Sequence, residues 1–337
     1  MPKIAALLEK YVKLIEPVIL KVLYLDIDKK FREIVDYQIL TGGKRLRPAL
    51  AIVSCQLFGG KIKDVVSASA GLEILHNYTL ILDDMIDHSV QRREKPTVWK
   101  KFGKSIAQCV GADYSAAIFQ TALATKYPIR VSAVFAKTIK EIIHGEILDI
   151  LFEQSGRKEE PYVVKNRYSE ISEQDYFKMI AKKTAVLLEA CCEIGGICAG
   201  VKKGDMARLK DFGFNLGMAF QIQDDVLDIF GSREFGKKIG GDIKERKLGN
   251  IVILSALNEF NPGDKARFFK ILRNNSIRDK EIKEAVRLIK KTGSRQKADF
   301  YCQKFIKKAK RNMKFLPQNK YNNILRQAAD FVVERKK

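Results

Sequence analysis

LILDDMIDHSVQRR, residues Leu80–Arg93, is the stretch on which the reading of this chain turns. It closes the apolar run Gly71–Leu82, which reads as a buried helix, and sets Asp83, Asp84 and Asp87 at that helix's end. Three carboxylates crowded there repel one another. At about 4 Å and an effective dielectric of ~20, each like-charged pair costs on the order of 4 kcal/mol. Solvent relieves that cost, and so does a polyvalent cation among the oxygens. A lone DDxxD is most simply a solvated acidic face, but here the spacing recurs: Asp224, Asp225 and Asp228 follow a second apolar run, Phe212–Ile222. Positions i and i+4 share a helix face, so each triplet stacks two carboxylates one turn apart with a third beside them. Oxygen donors in this number suit Mg²⁺, which keeps waters and shares its shell with phosphate oxygens. On facing helices of one bundle, two triplets suffice for more than one ion.

The cations point the same way. Gly42-Gly43-Lys44-Arg45-Leu46-Arg47-Pro48 puts three of them on a glycine-led turn, and Arg92-Arg93 follows the first triplet. Lys182-Lys183-Thr184 falls in a long helical pattern, while Lys237, Lys238 and Lys247 follow the second triplet. Any one basic pair reads as a solvated face. Several of them adjoining glycine turns or acidic triplets form diphosphate sites, for which arginine forks and lysine point charges are both suited.

The remaining composition bounds the class. The chain has 337 residues, 46% of them hydrophobic, enough for a sizeable core. A formal charge of +22 favours polyanionic partners without choosing among phosphates, nucleic acid and anionic membranes. The six cysteines include no CxxC pair and only three histidines accompany them, which argues against zinc and for buried, reduced thiols. The longest charge-free run, Pro48–Gly60, is too short to span a bilayer. Lys3, Glu9 and Lys10 interrupt any signal-peptide core, so a soluble cytoplasmic protein is expected.

Apolar periodicity predicts helices throughout: 4–24 with a break at Pro17, 29–40, 49–57 opened by Pro48, 62–82, 103–125, 129–152, 172–200 and 205–230. Further helices are expected at 250–259, 264–273, 278–291 (with a Ser276/Asp279 cap), 295–314 and 320–335. The segments Ser155–Pro161 and Gly231–Gly249 read as loops. No strand pattern persists. The expectation is an all-α protein, residues 1–337 forming one domain.

In motif order, GGKRLRP, LDDMIDHSVQRREKPT, GEILD, MIAKKTA and FQIQDDVLDIFG with its lysine loop and Asp242 resemble the trans-prenyltransferases, the head-to-tail isoprenyl diphosphate synthases, over residues 35 to 260 or so. The tail FVVERKK is also similar. The resemblance implies a bundle of ten or more helices around a central cleft, the isoprenoid synthase fold. It also implies Mg²⁺, more than one ion per site, held by Asp83, Asp84, Asp87, Asp224, Asp225 and Asp228 against an allylic diphosphate. Arg92, Lys183 and one of Lys237 and Lys238, with Lys247 in support, would bind that diphosphate. Lys44, Arg47, His76 and Arg93 would bind isopentenyl diphosphate, and Thr184 and Gln221 would lie near the allylic cation. A lone histidine in an apolar helix is ordinarily a core residue; the match of Glu73–His76 to the family's EIxH segment favours the substrate role. The family is commonly homodimeric.

Product length in this family is governed by side chains beneath the first triplet, here Tyr78, Thr79 and Leu75. A ring five residues before Asp83 with a small residue at the next position resembles archaeal geranylgeranyl diphosphate synthases, implying a C20 product with C15 as the nearest alternative. Glu94 (a glycine after the arginine pair in the usual pattern), Glu146 (a glutamine), Arg246 and Gly249 depart from that pattern without removing a metal ligand or a diphosphate cation, though Arg246 and Gly249 bear on the loop around Lys247. A nucleic-acid-binding protein would interleave its basic residues with exposed aromatics or carry a docking motif, and neither is found. A regulatory subunit would lose triplet residues. Head-to-head synthases and terpene cyclases lack the GGKRLRP turn. A basic tail meeting an anionic membrane surface, without stable insertion, is a further expectation.

Overall fold

A computed structural model describes residues 2–231, 239–274 and 276–334. In chain order the helices are α1 (Pro2–Leu23), α2 (Arg32–Val35), α3 (Tyr37–Leu40), α4 (Leu46–Leu57), α5 (Ile62–Ile86), α6 (Val98–Phe102), α7 (Lys104–Leu123), α8 (Pro128–Leu151) and α9 (Pro161–Asn166). They continue with α10 (Glu173–Ile180), α11 (Val186–Cys198), α12 (Lys203–Phe230), α13 (Gly241–Lys244), α14 (Ile251–Glu259), α15 (Pro262–Leu272), α16 (Asp279–Ile289), α17 (Ser294–Met313) and α18 (Lys320–Glu334). The fold is all-α. Among the described residues its sheet is a single two-residue ladder, β1 (Gln91–Arg92) against β2 (Lys95–Pro96).

Contacts divide the chain into two compact units. The first comprises Met1–Ile139, Leu187–Gly213 and Asn312–Gln327; the second comprises Lys140–Val186, Phe214–Arg311 and Ala328–Lys337. In the first, α5 packs against α7, α4 and α1. Leu72, Ile74 and Leu75 are fully buried, each contributing about 1.5–3 kcal/mol of hydrophobic stabilisation. Because α5 is covered on several sides it is apolar nearly all round. It is long and apolar enough to cross a membrane, but 61% of its apolar window is buried inside the protein, as in a core helix. Its C-terminus is capped by Trp99, whose Nε1 donates to the carbonyls of Asp84 (2.8 Å) and Ser89 (2.9 Å). In the second unit α10 packs on α14, and α13, α14 and α15 pack on α16.

Several expectations need correction. α1 runs unbroken through Pro17. The 29–40 run is not one helix but a 3₁₀ turn, Lys29–Phe31, followed by α2 and α3. Between α5 and α7, where no element is expected, the chain forms the ladder and α6. The cap of α16 is Glu281, which accepts from the Arg278 backbone N–H at 2.9 Å, rather than Ser276 with Asp279. The 172–200 helix is interrupted by a π-turn at Ala181–Ala185, an insertion that periodicity counted over a long window averages away. All six cysteines are free, five of them buried and Cys109 exposed.

Candidate active site: two carboxylate clusters

The first cluster gathers at the C-terminal end of α5. Asp83 and Asp87 are half-exposed, whereas Asp84 is 1% exposed. The β1–β2 turn brings Arg92 back over that buried carboxylate. Its Nε lies 3.0 Å from both Asp84 oxygens and its Nη2 2.8 Å from Oδ1. Burial pushes the Asp84 carboxyl up from its ordinary pKa, and the Arg92 guanidinium opposes that rise.

Beside it, the glycine-led turn forms a cluster of cations. Gly43 has φ 148°, a conformation that favours glycine, and a side chain there would crowd guanidinium nitrogens of Arg45 and Arg93 at 3.1 Å. Lys44 is exposed and Arg47 half-buried. Between them Arg45 takes a left-handed conformation, φ 49°, and turns inward. Its side chain is fully buried, with Nη1 2.9 Å from Glu73 Oε1 and Nη2 3.0 Å from Glu16 Oε1 and 2.8 Å from the Ile39 carbonyl. Burial first, then Arg47, Arg93, Arg92 and Arg45, hold His76 well below its usual pKa, so it is neutral at pH 7. An imidazole without charge adds no further repulsion to this cluster and can still donate a hydrogen bond.

Of the three chain-length candidates, Tyr78 is half-buried, its ring edge 3.8 Å from where a Cβ on Gly111 of α7 would stand. Thr79 turns its hydroxyl to the His76 carbonyl at 2.8 Å. Leu75 is fully buried in the core.

The second cluster repeats the spacing on α12. Asp224 and Asp228 are half-exposed and Asp225 is 2% exposed. Tyr176 Oη donates to Asp225 Oδ2 at 2.7 Å, the Ile251 N–H to the same oxygen at 3.0 Å, and Gln221 Nε2 to Oδ1 at 3.0 Å. Gln221 Oε1 in turn accepts from Thr184 Oγ1 at 2.7 Å. Asp228 accepts from the N–H groups of Gly241 (2.8 Å) and Asp242 (3.3 Å) at the start of α13. Burial, then the nearby Asp242 carboxylate, raises both Asp225 and Asp228 above the usual carboxylate range.

Lys183 and Thr184 both sit in the π-turn. A Cβ on Gly145 would lie 2.4 Å from the Lys183 backbone nitrogen, so that glycine admits the turn against α8. Lys183 Nζ is 2.6 Å from Glu146 Oε2 and 2.7 Å from Asp149 Oδ2. Lys247, 6% exposed, is 3.1 Å from Asp149 and from Glu245. Burial raises the Asp149 carboxyl, but the two lysines outweigh it and hold it well below its ordinary range. Lys237 and Lys238 lie outside the described residues.

Thus in each triplet the middle aspartate is buried and bonded by protein donors, while the outer pair is half-exposed, Asp228 being held in addition by two backbone N–H groups. Among the described residues no three carboxylate, imidazole or thiol groups converge into a ready-made cage. That donor set fits Mg²⁺ completed by substrate phosphates and water better than a metal held by protein alone. Sequence reasoning assigned no role to Glu73, Tyr176, Asp149 and Asn250. Glu73 and Asp149 carried a signal, each a carboxylate set in an apolar helical run. Tyr176 and Asn250, which donates to Asp242 at 2.7 Å, carried none.

The polyprenyl synthetase family model matches residues 28–289. The chain is 36% identical over 271 residues to a short chain isoprenyl diphosphate synthase of Methanocaldococcus jannaschii, covering 79% of this chain and 78% of that one. It is 35% identical over 263 residues to a geranylgeranyl diphosphate synthase of Sulfolobus acidocaldarius, covering 76% of each. Its fold is similar to that of a polyprenyl synthase from Caulobacter crescentus complexed with calcium and isoprenyl diphosphate, with TM-score 0.88, 27% identity and coverage of 99% and 97%. The chain belongs to the polyprenyl synthetase family, as its motifs imply. It is an enzyme, a prenyltransferase of the prenyl diphosphate synthase type.

Proposed function

We propose that this prenyltransferase elongates an allylic diphosphate with isopentenyl diphosphate in a Mg²⁺-dependent reaction, and that its main product is geranylgeranyl diphosphate, C20, with C15 farnesyl diphosphate the nearest alternative. The observation that carries the reading is the repeated triplet, its middle carboxylate buried and held by the protein and its outer ones half-exposed. The calcium and isoprenyl diphosphate named for the Caulobacter structure support the same chemistry. The Sulfolobus relative's product supports C20.

Asp83, Asp87, Asp224 and Asp228 would hold Mg²⁺, with Asp84 and Asp225 completing the triplets from behind. The metal supplies charge neutralisation to the departing diphosphate. Arg92 and Lys183, with Lys247 and a lysine of the 237–238 pair, bind the allylic diphosphate and stabilise its negative charge as the C–O bond ionises. Lys44, Arg47, Arg93 and neutral His76 hold isopentenyl diphosphate by its own anion, orienting its double bond toward the allylic cation. The paired Thr184 hydroxyl and Gln221 amide place dipoles near that cation. A new C–C bond forms, and loss of a proton to the released diphosphate restores an allylic double bond.

The test is labelled isopentenyl diphosphate supplied with C5, C10 or C15 allylic starters, with and without Mg²⁺, followed by product sizing. Absence of Mg²⁺-dependent elongation with every starter would overturn the reading; C15 or chains beyond C20 as the sole product would overturn the length.

A homodimer in the cytoplasm is part of the same reading. Its support is one face of α7, where Ile106, Cys109, Ala112, Ala116 and Leu123 are all exposed at helical spacing. Light scattering of the purified chain distinguishes a dimer from a monomer.

A further inference from the structure

Helix α17 carries a feature the reaction does not use. Phe300, Gln303, Lys304, Lys307, Lys308 and Arg311 recur at three- and four-residue steps on its exposed side and line a shallow depression of about 330 Å³. Phe300 is 62% exposed, a large apolar side chain with no cover. The helix's other lysines are used differently: Lys297 pairs with Glu173 and Lys310 with Asp330. Lys304, Lys307, Lys308 and Arg311 make no ion pair among the described residues. The exposed carboxylate nearest Phe300 on this helix, Asp299, is engaged by Arg295 at 3.8 Å. The result is four cations without a carboxylate partner among the described residues, one of them, Lys308, over the Phe305 ring at 5.4 Å, with an exposed aromatic at one end.

A solvated face needs no such segregation of charge, and the exposed ring gains its significance from standing at the end of that row rather than alone. Two polyanions fit the charge. A duplex is held through its phosphates and leaves a phenyl ring beside them in water, and one ring at the end of a row of cations is not the interleaved arrangement that stacks successive bases of a single strand. An anionic bilayer gains from both parts: lysine point charges meet the headgroups while the ring enters the headgroup–acyl boundary. The enzyme's products are themselves amphiphiles, prenyl chains on diphosphates. We propose that the Phe300–Arg311 face of α17 docks the protein reversibly on an anionic membrane surface.

The test is sedimentation of the full chain with vesicles of phosphatidylcholine alone or containing phosphatidylglycerol, at low and physiological salt. Binding is expected only to the anionic vesicles and should weaken as salt rises. Lys304→Glu with Lys307→Glu should lower partitioning at least tenfold, each lysine near such a surface contributing about fivefold. Phe300→Ser should weaken it without changing the salt dependence. These exposed substitutions are expected to leave the circular dichroism and prenyl transfer unchanged, so a loss of binding reports on docking. Lys265→Glu with Lys270→Glu, in the separate basic groove of α15, serves as the control. Equal binding to both vesicle types overturns the proposal, as does an equal loss in the α15 variant. Stronger retention on a DNA duplex than on anionic vesicles at matched salt also overturns it.

Discussion

Arg45 Nη1 lies 2.9 Å from Glu73 Oε1, and both side chains are almost wholly excluded from solvent. The pair ties the glycine-led turn to α5 one turn before His76, and Asn77 Nδ2 also donates to Glu73 Oε1 at 3.2 Å. Removing one partner leaves a buried charge, so Glu73→Ala should destabilise the protein by about 3–5 kcal/mol. Urea denaturation measures it. A midpoint within error of the parent would show that the pair is dispensable.

The two kinds of aspartate should separate in a metal titration. Asp224→Asn is expected to lower turnover on the order of 10²–10³-fold and to raise the Mg²⁺ concentration needed for half-maximal rate. Tyr176→Phe removes a buried donor from Asp225, with an expected loss of about 1–3 kcal/mol in stability, and the Mg²⁺ requirement should stay near that of the parent. The same Mg²⁺ response in both variants would erase the distinction between outer and middle positions.

Glu146 and Asp149 occupy the ammonium of Lys183 before any substrate arrives. Glu146→Gln should free Lys183 for a diphosphate and lower KM for the allylic substrate. Lys183→Ala should raise that KM on the order of tenfold or more, the equivalent of a charge-assisted hydrogen bond of about 1.5–3 kcal/mol. Initial rates against allylic diphosphate concentration decide it, and a higher KM in Glu146→Gln would contradict the competition.

His76 sets a pH dependence. Its folded pKa lies below the unfolded value of about 6.5, so below that pH the unfolded chain takes up a proton that the folded protein refuses. The corresponding stability is complete above about pH 6.5 and is lost progressively as pH falls toward the folded pKa, with a slope of up to ~1.4 kcal/mol per pH unit. His76→Asn should flatten the curve of denaturation midpoint against pH between about pH 6.5 and 5. A curve parallel to the parent's would place the titration elsewhere.

Tyr78→Ala removes a ring beneath the first triplet and should lengthen the products on chromatography. An unchanged length distribution would show that Tyr78 is not the floor.

The sequence carried the fold class because apolar runs at helical spacing, punctuated by Gly, Pro and Asn, recur along the whole chain. The triplets were legible because carboxylates at i, i+1 and i+4 after an apolar run are unusual twice over. What could not be read was which member of each triplet points inward. That depends on partners distant in sequence: Arg92 arrives through a two-residue ladder, and Tyr176 lies 49 positions from Asp225. Arg45 sits between two cations expected to bind substrate, and nothing in the sequence marks that its left-handed backbone turns it into the protein to pair with Glu73. The π-turn was hidden because one extra residue in a long apolar helix barely changes its periodicity.

That extra residue acts as a phase shift. An α-helix advances about 100° per residue, so deleting any one position within Ala181–Ala185 would let α10 and α11 fuse and rotate the preceding turns by about that angle. Tyr176 would swing away from Asp225, and Lys183 would leave the notch that Gly145 provides. The segment should therefore accept substitutions far more readily than a change in length. Urea midpoints of a single-residue deletion beside those of alanine variants at the same positions would show whether it does.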